Sequence, residues 1–324
     1  MPNILSFDPG AGAIKAIYNN MPLTLLSAVA VNGQHRIHGV AGIKSRKRPL
    51  TVITPDGEFL VGAGAHDFGR PVENLDFDRL TGSPELRALL CGVFSRLLPV
   101  DIRQPLNLIV GLPIAVLSGE DATATIKSVK SFLNGAHTWQ VDGQSRTVTV
   151  ADVLVTGQPV GASFEFFLDE KGNSRAEHRT FYDREIGVMN VGMSTIDLLV
   201  MRRGQLIERF TAGETIGVRR LLSMINANGL YSFAELDEQL RSGRLDTNAY
   251  RAIWEREVLS YLDQVWGKAR KRFSRVICTG GGVHLLYSTL LRKFGASLYV
   301  TDDPVMSTAV GLYRFGLMQA RKDK

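Results

Sequence analysis

The sequence predicts an α/β protein of two duplicated sheet-plus-helix domains around a cleft, each with a small inserted subdomain. Three observations predict it. The chain has 324 residues, more than one hydrophobic core usually organises. Two short glycine turns, DPGAGAIK (8–15) and NVGMSTID (190–197), begin 182 residues apart, each set between apolar runs. The runs also repeat. NILSF, AIKAIYN and LTLLSAVA accompany the first turn, and IGVMNV, TIDLLVMRR and QLIERFT the second, so a three-strand meander opens each half.

In chain order, the Asn19-Asn20 pair followed by Pro22 supplies the turn between the second and third strands. Residues 31–72 are polar and Gly-rich, with strand-like TVITP and EFLVG joined at Asp56-Gly57, and read as a small insertion. Ser83-Pro84 opens a helix, Ser as N-cap and Pro at the first position, with Leu86, Leu89, Leu90, Val93 and Leu97 on one stripe. LNLIVGLP (106–113) is a buried strand, and Ser118 with Asp121 predicts a capping box for a helix to about Asn134. VTVADVLV (148–155) is a strand leading into a crossover helix from Pro159. After the second meander, which turns at Arg203-Gly204, residues 213–272 are almost wholly helical. Gly229 is a stop there, Ser232…Glu235 a capping box, Gly243 a break, and a long run starts at Thr247. Strand RVICT (275–279), Gly280-Gly281-Gly282, a helix, strand SLYV and a last helix from Pro304 close the chain.

Composition narrows the class. Hydrophobic residues make up 44% and charged residues 22%, ordinary for a soluble globular protein. Cys91 and Cys278 are too few for a disulfide framework. The first residues run into a strand containing Asp8, without a signal-peptide core, and no apolar run reaches the about 18 residues of a membrane span. A cytoplasmic protein without membrane contact is the expectation. The net charge of +6 is compatible with an anionic partner. Its clusters, Lys44-Ser45-Arg46-Lys47-Arg48 and Lys268 with Arg270, Lys271 and Arg272, lack the interleaved aromatics of a nucleic-acid surface, which argues against direct nucleic-acid binding.

Asp8 ends its strand and points into the first turn. In a phosphate cleft its carboxylate would hold hydrated Mg²⁺ through water, because Mg²⁺ dehydrates reluctantly. Gly10, Ala11 and Gly12 would present amides to phosphate oxygens, and Lys15 can reach back as a point charge. In the second turn Asn190, Gly192, Met193, Ser194 and Thr195 form the bend, two of them hydroxyl donors. Asp197 shares a strand face with Thr195. At Gly280, Gly281 and Gly282 the backbone can pass close to a flat ligand, and the helix start favours an anion. Each turn alone is equally an ordinary hairpin. Two of them, one per half, read as two jaws on one polyphosphate.

The set DPGAGAIK, VGLP, TGQPVGA, NVGMSTID, CTGGG and DDPVMSTAVGLYRFG, in that order over nearly the whole chain, resembles the actin-like ATPases, especially the short prokaryotic, archaeal and plasmid-partition members. VENLDFDRLTGSPELRALL resembles that group's passage from subdomain IB to IA. The resemblance implies ATP and Mg as cofactors, with GTP left open. It implies DPGAGAIK and NVGMSTID as phosphate loops, with Asp8 near Mg and Lys15 on the phosphates. Gly280 to Gly282 become the adenosine loop, Ser307 to Gly311 the second connecting hinge, and Gln158 the residue that orients the attacking water. It places domain I at 1–157 plus 308–324, with about 31–72 as subdomain IB, and domain II at 158–307, with about 213–272 as subdomain IIB. It also implies self-association into filaments and cargo, such as plasmid DNA, held through an adaptor protein.

One position departs from the family pattern. The second phosphate loop usually begins with Asp, and this chain has Asn190. Asn keeps an acceptor oxygen but loses the charge, so the expectation is nucleotide binding retained and hydrolysis slowed. The alternative reading on the same architecture is a small-molecule (sugar or carboxylate) kinase. It would need a catalytic Asp near the cleft, for which only Asp152 and Asp197 offer themselves.

Overall fold

The computed structural model describes residues 3–32, 47–73 and 76–322. Lys44 to Arg46 of the first basic cluster, and much of the expected insertion, lie outside the described residues.

Strands β1 (Ile4–Pro9), β2 (Ala13–Tyr18) and β3 (Met21–Leu26) form the first meander. Asn19 and Asn20 turn it with φ of 49° and 63°, the type I′ geometry that Asn tolerates. LTLLSAVA is not one strand. It breaks after β3 and resumes as β4 (Val29–Asn32), which pairs elsewhere, with β6 (Gly57–Val61) and β7 (Gly69–Pro71). The hairpin of β5 (Leu50–Thr54) and β6 turns at Pro55-Asp56, one residue before the expected Asp56-Gly57, because Gly57 already pairs with Thr54. Ser83 caps α1 (Pro84–Leu97) by accepting from Leu86 N at 3.2 Å, and the five-residue stripe is buried as expected. β8 (Leu106–Leu112) is followed by the short α2 (Ile114–Leu117) and by α3 (Ala122–Leu133). The capping box expected at Ser118 does not form, because Ser118 Oγ donates back to Ala115 O and Asp121 makes no side-chain cap.

β9 (Gly135–Val141) and β10 (Gln144–Gly157) pair through an Asp142-Gly143 turn with φ of 52° and 76°. β9 escaped the sequence reading, although that Asp-Gly pair was its signal. Among the described residues the first sheet runs β3-β2-β1-β8-β10-β9-β5-β6-β4-β7. The insertion therefore continues the sheet, joined where Val52 and Ile53 of β5 face Val141 and Gln140 of β9.

Helix α4 (Gln158–Phe167) leads to β11 (Ile186–Val191) and β12 (Ile196–Arg202). The expected strand QLIERFT is interrupted: β13 (Gln205–Leu206) and β14 (Ala212–Glu214) flank a 3₁₀ turn, and both pair with β12. The helices α5 (Val218–Ile225), α6 (Phe233–Arg241) and α7 (Asn248–Val265) fill the expected helical stretch. The Ser232–Glu235 capping box is complete. β15 (Arg275–Thr279), α8 (Val283–Phe294), β16 (Leu298–Val300) and α9 (Ser307–Lys322) close the chain; α9 starts three residues later than Pro304. The second sheet runs β13-β12-β11-β15-β16, the same pattern of antiparallel meander then parallel strands as β3-β2-β1-β8-β10.

Central strands are buried on both faces, and their period of two sorts side chains into different cores. On β1, Leu5 and Phe7 join the cluster around α1, whereas Ile4 joins the cluster of α9. On β11, Met189 and Val191 face the helical stretch, whereas Ile186 and Val188 pack with Ala162 and Phe166 of α4. α4 and α9 thus lie between the sheets and cross in close backbone contact, since a Cβ on Gly311 would collide with Gly161 O. Among the described residues no helix is long and apolar enough to cross a membrane. Both cysteines are buried as free thiols.

Candidate functional site

A cavity of about 510 Å³ opens between the two sheets at the ends of β1 and β11. Both glycine turns line it, as do Gln158 at the start of α4 and the Gly280–Gly282 segment before α8. Four distant stretches converge here because parallel central strands deliver their C-terminal ends, and the turns that follow them, to one edge.

The floor is a continuous polar path. Lys15 Nζ lies 2.8 Å from Asp8 Oδ2, and Gln158 Nε2 donates to Asp8 Oδ1 at 2.7 Å. Asn190 Nδ2 donates to Gln158 Oε1 at 3.1 Å and approaches Asp197 Oδ2 at 3.4 Å. Thr195 Oγ1 donates to Asp197 Oδ2 at 2.8 Å, and Ile114 N donates to its other oxygen at 2.8 Å. Buried polar groups need partners, and here each jaw supplies the other's through Gln158.

Asp8, Gly10, Ala11, Gly12, Lys15, Gln158, Asn190, Gly192, Met193, Ser194, Thr195 and Gly280 to Gly282 all line the cavity. Asp197 does not. It is fully buried behind Thr195 and Asn190, so the expected ligand contact from Asp197 is replaced by a supporting one. Burial pushes its carboxyl up to about 6, against the pull of the bonds from Thr195, Ile114 N and Asn190. Asp152 is exposed on β10 and also stands outside the lining.

The second turn is braced by α5, whose entry amides bind it: Val218 N donates to Gly192 O at 3.0 Å and Arg219 N to Met193 O at 2.7 Å. Gly280 is held at φ 88°, and a Cβ there would sit 2.7 Å from Asn190 Oδ1, so only glycine lets the third segment close over the second turn. Ser194 Oγ is buried at the cavity wall without a hydrogen-bond partner among the described residues. An orphan hydroxyl beside glycine amides and a lysine fits a ligand rich in anionic oxygens.

Three charged residues of the lining escaped the sequence reading. Arg79, in the 3₁₀ turn before α1, donates to Pro9 O at 2.6 Å and is 7% exposed. Desolvation lowers its guanidinium to about 10, opposed by Glu85 and Asp8. Asp237 and Arg241 of α6 pair at 2.8 Å, one turn apart, at the opposite wall. Burial raises the Asp237 carboxyl, while Arg241 and Lys15 draw it down. α6 also meets the first sheet's extension. Phe233 N donates to Glu73, Ala234 packs by Ala28, Ala30, Leu60 and Ala65, and Glu238 lies 3.9 Å from His66. The available sequence signal was the (i, i+4) spacing of Asp237 and Arg241; nothing local singled out Arg79.

Residues 6–161 match the family described as the N-terminal domain of actin-like proteins. No curated protein matches the chain in sequence. Solved structures match in fold over almost the full length of both chains. One is an apo ParM of psk41, 16% identical, covering 98% of each chain with a TM-score of 0.70. Another is a 15-stranded ParM filament from Clostridium botulinum, 18% identical, covering 98% of this chain and 99% of that one, with a TM-score of 0.75. A third is an archaeal actin homologue, Ta0583, in complex with ADP, 17% identical, covering 99% of each with a TM-score of 0.72. Over residues 6–161 the chain is thus similar to the N-terminal domain of actin-like proteins, and over its whole length it shares the fold of these structures.

Proposed function

We propose that this chain is an actin-like ATPase that binds Mg-ATP between two domains and polymerises into filaments, for plasmid segregation or another positioning task. The observation that carries the reading is the hydrogen-bonded path Lys15–Asp8–Gln158–Asn190, which ties the two glycine turns together under one cavity. The ADP bound to the archaeal homologue and the filament of the C. botulinum ParM support it by analogy of fold. The domains divide at 157/158 and 307/308, where α4 and α9 begin between the sheets.

The first turn's amides and Lys15 bind the polyphosphate, the second turn adds Ser194 and Thr195, and Gly280–Gly282 lies along the nucleoside. Mg²⁺, met through water by Asp8, would neutralise charge on the phosphates. Among the described residues no cluster of three or more His, Cys, Asp or Glu could hold an ion by itself, which suits a hydrated cation on one carboxylate. Gln158 is fixed at both ends of its amide, and its Oε1 can accept from a water aimed at the terminal phosphorus. That water's oxygen bonds to phosphorus as the bridging oxygen leaves with the diphosphate, and the water's proton passes to an oxygen of the released phosphate. Neither Gln158 nor Asn190 accepts a proton, so hydrolysis is slow and rests on positioning and charge.

The test is light scattering and sedimentation with Mg-ATP, Mg-ADP and a nonhydrolysable triphosphate, with phosphate release measured alongside. Polymer that appears with triphosphate and decays as phosphate is released is expected. Phosphate transfer to a sugar or a carboxylate without polymer would overturn the reading in favour of a kinase.

A further inference from the structure

We infer that Arg79 is a third cationic ligand of the polyphosphate, specific for its terminal phosphate. The inference rests on the nucleotide reading above. Three observations carry it. Arg79 lines the cavity, yet it is 7% exposed, so it is a nearly desolvated charge aimed at a ligand space. It donates to Pro9 O at 2.6 Å, a neutral carbonyl adjoining Asp8, which puts the guanidinium at the same end of the cavity as Asp8 and Gln158. Glu85, the carboxylate that acts on it most strongly, keeps Oε1 buried with no hydrogen-bond partner among the described residues instead of closing an ion pair. A buried cation without a closed carboxylate pair is costly, and a phosphate oxygen is the partner that the planar guanidinium fork fits best. Lys15 approaches the same space from β2, and Arg241 from α6, where its guanidinium lies within 3.4 Å of a Cβ built on Gly12. The anion would thus be met from three elements, Arg79 being the one fixed to the turn between the inserted strands and the core helix α1.

The experiment is calorimetric titration of full-length wild type, Arg79→Gln and Arg79→Lys with a nonhydrolysable Mg-triphosphate and with Mg-ADP, plus thermal unfolding of each free protein. Arg79→Gln is expected to weaken triphosphate binding by about 10- to 100-fold. Diphosphate binding should change by less than about threefold, and the free protein's unfolding midpoint should stay or rise, because a desolvated charge has been removed. Arg79→Lys, keeping charge without the fork, falls between. Equal loss of both ligands, or a lowered midpoint in the free Arg79→Gln protein with triphosphate preference intact, would make Arg79 a structural brace for Pro9 and overturn the inference. Wild type that binds neither ligand would instead sink the nucleotide reading itself.

Discussion

At the first turn a carboxylate and an ammonium stand 2.8 Å apart in the cavity wall, and Asp8 is 2% exposed. At the second turn the wall is an amide and two hydroxyls, while the nearby carboxylate, Asp197, is turned inward onto Thr195, Asn190 and Ile114 N. Two turns with the same strand–turn–strand geometry have thus divided the work. One presents formal charge to the cavity, and the other presents neutral dipoles braced by a buried charge. Similar backbones do not imply similar electrostatics: the register that pairs Asp8 with Lys15 across the first hairpin pairs Asn190 with Asp197 across the second, so matched positions carry different charges.

The largest test of this division is Asp8→Asn. It removes the only charge the first jaw shares with Gln158 and Lys15, and phosphate release is expected to fall by about 10²- to 10³-fold. Release at the wild-type rate would show that the first jaw's charge is dispensable. Next comes the inward carboxylate. Asp197 titrates near 6 when folded and, unfolded, near the ordinary value of about 4. The folded state therefore binds the extra proton between those values, and its contribution to stability falls as pH rises from about 4 to 6, then levels. Denaturant unfolding across that window should show Asp197→Asn gaining on wild type by up to about 3 kcal/mol; parallel curves would mean Asp197 is charged throughout.

Asn190→Asp gives the second jaw the charge it lacks. Phosphate release is expected to rise by about tenfold, at some cost in stability, because the new carboxylate lies beside Asp197. No rise would mean that charge at this position is not what limits hydrolysis. The smallest effect belongs to Ser194→Ala. Its hydroxyl has no partner to lose, so the free protein should unfold at the wild-type temperature while nucleotide binding weakens by about three- to tenfold. A drop in the unfolding temperature instead would reveal a structural hydroxyl.

What the sequence made legible follows from the range of the interactions involved. The turns at Asn19-Asn20 and Arg203-Gly204, the Ser83 cap and the Ser232–Glu235 box are set by neighbours within four residues, and the structure has them, with the β5–β6 turn one residue before Asp56-Gly57. So are the glycine turns that line the cavity. The break of LTLLSAVA into β3 and β4 is set by β6 and β7, which claim β4 for a different part of the sheet. The Ser118 cap fails because a one-turn helix, α2, uses that hydroxyl first. Arg79, Asp237 and Arg241 reach the cavity from elements far along the chain, and Asp197 leaves it because Ile114 N, 83 residues away, binds its carboxylate. Of these, only Asp237 and Arg241 carry a local mark, their (i, i+4) spacing.

The first sheet also acts as a beam. Its ten strands among the described residues, at about 4.8 Å spacing, span about 40 Å, and the insertion forms the far end of the same hydrogen-bonded surface. It rests on the α4–α9 crossing, where Gly161 and Gly311 touch backbone to backbone beside the stacked rings of Phe164 and Phe315. A turn of about five degrees there would sweep the tip, by the same spacing, through roughly 3–4 Å, about the reach of one hydrogen bond. The tip meets α6 through Glu73 and the small-residue patch under Ala234, so an angular change too small to disturb either core is large enough to make or break that distant touch.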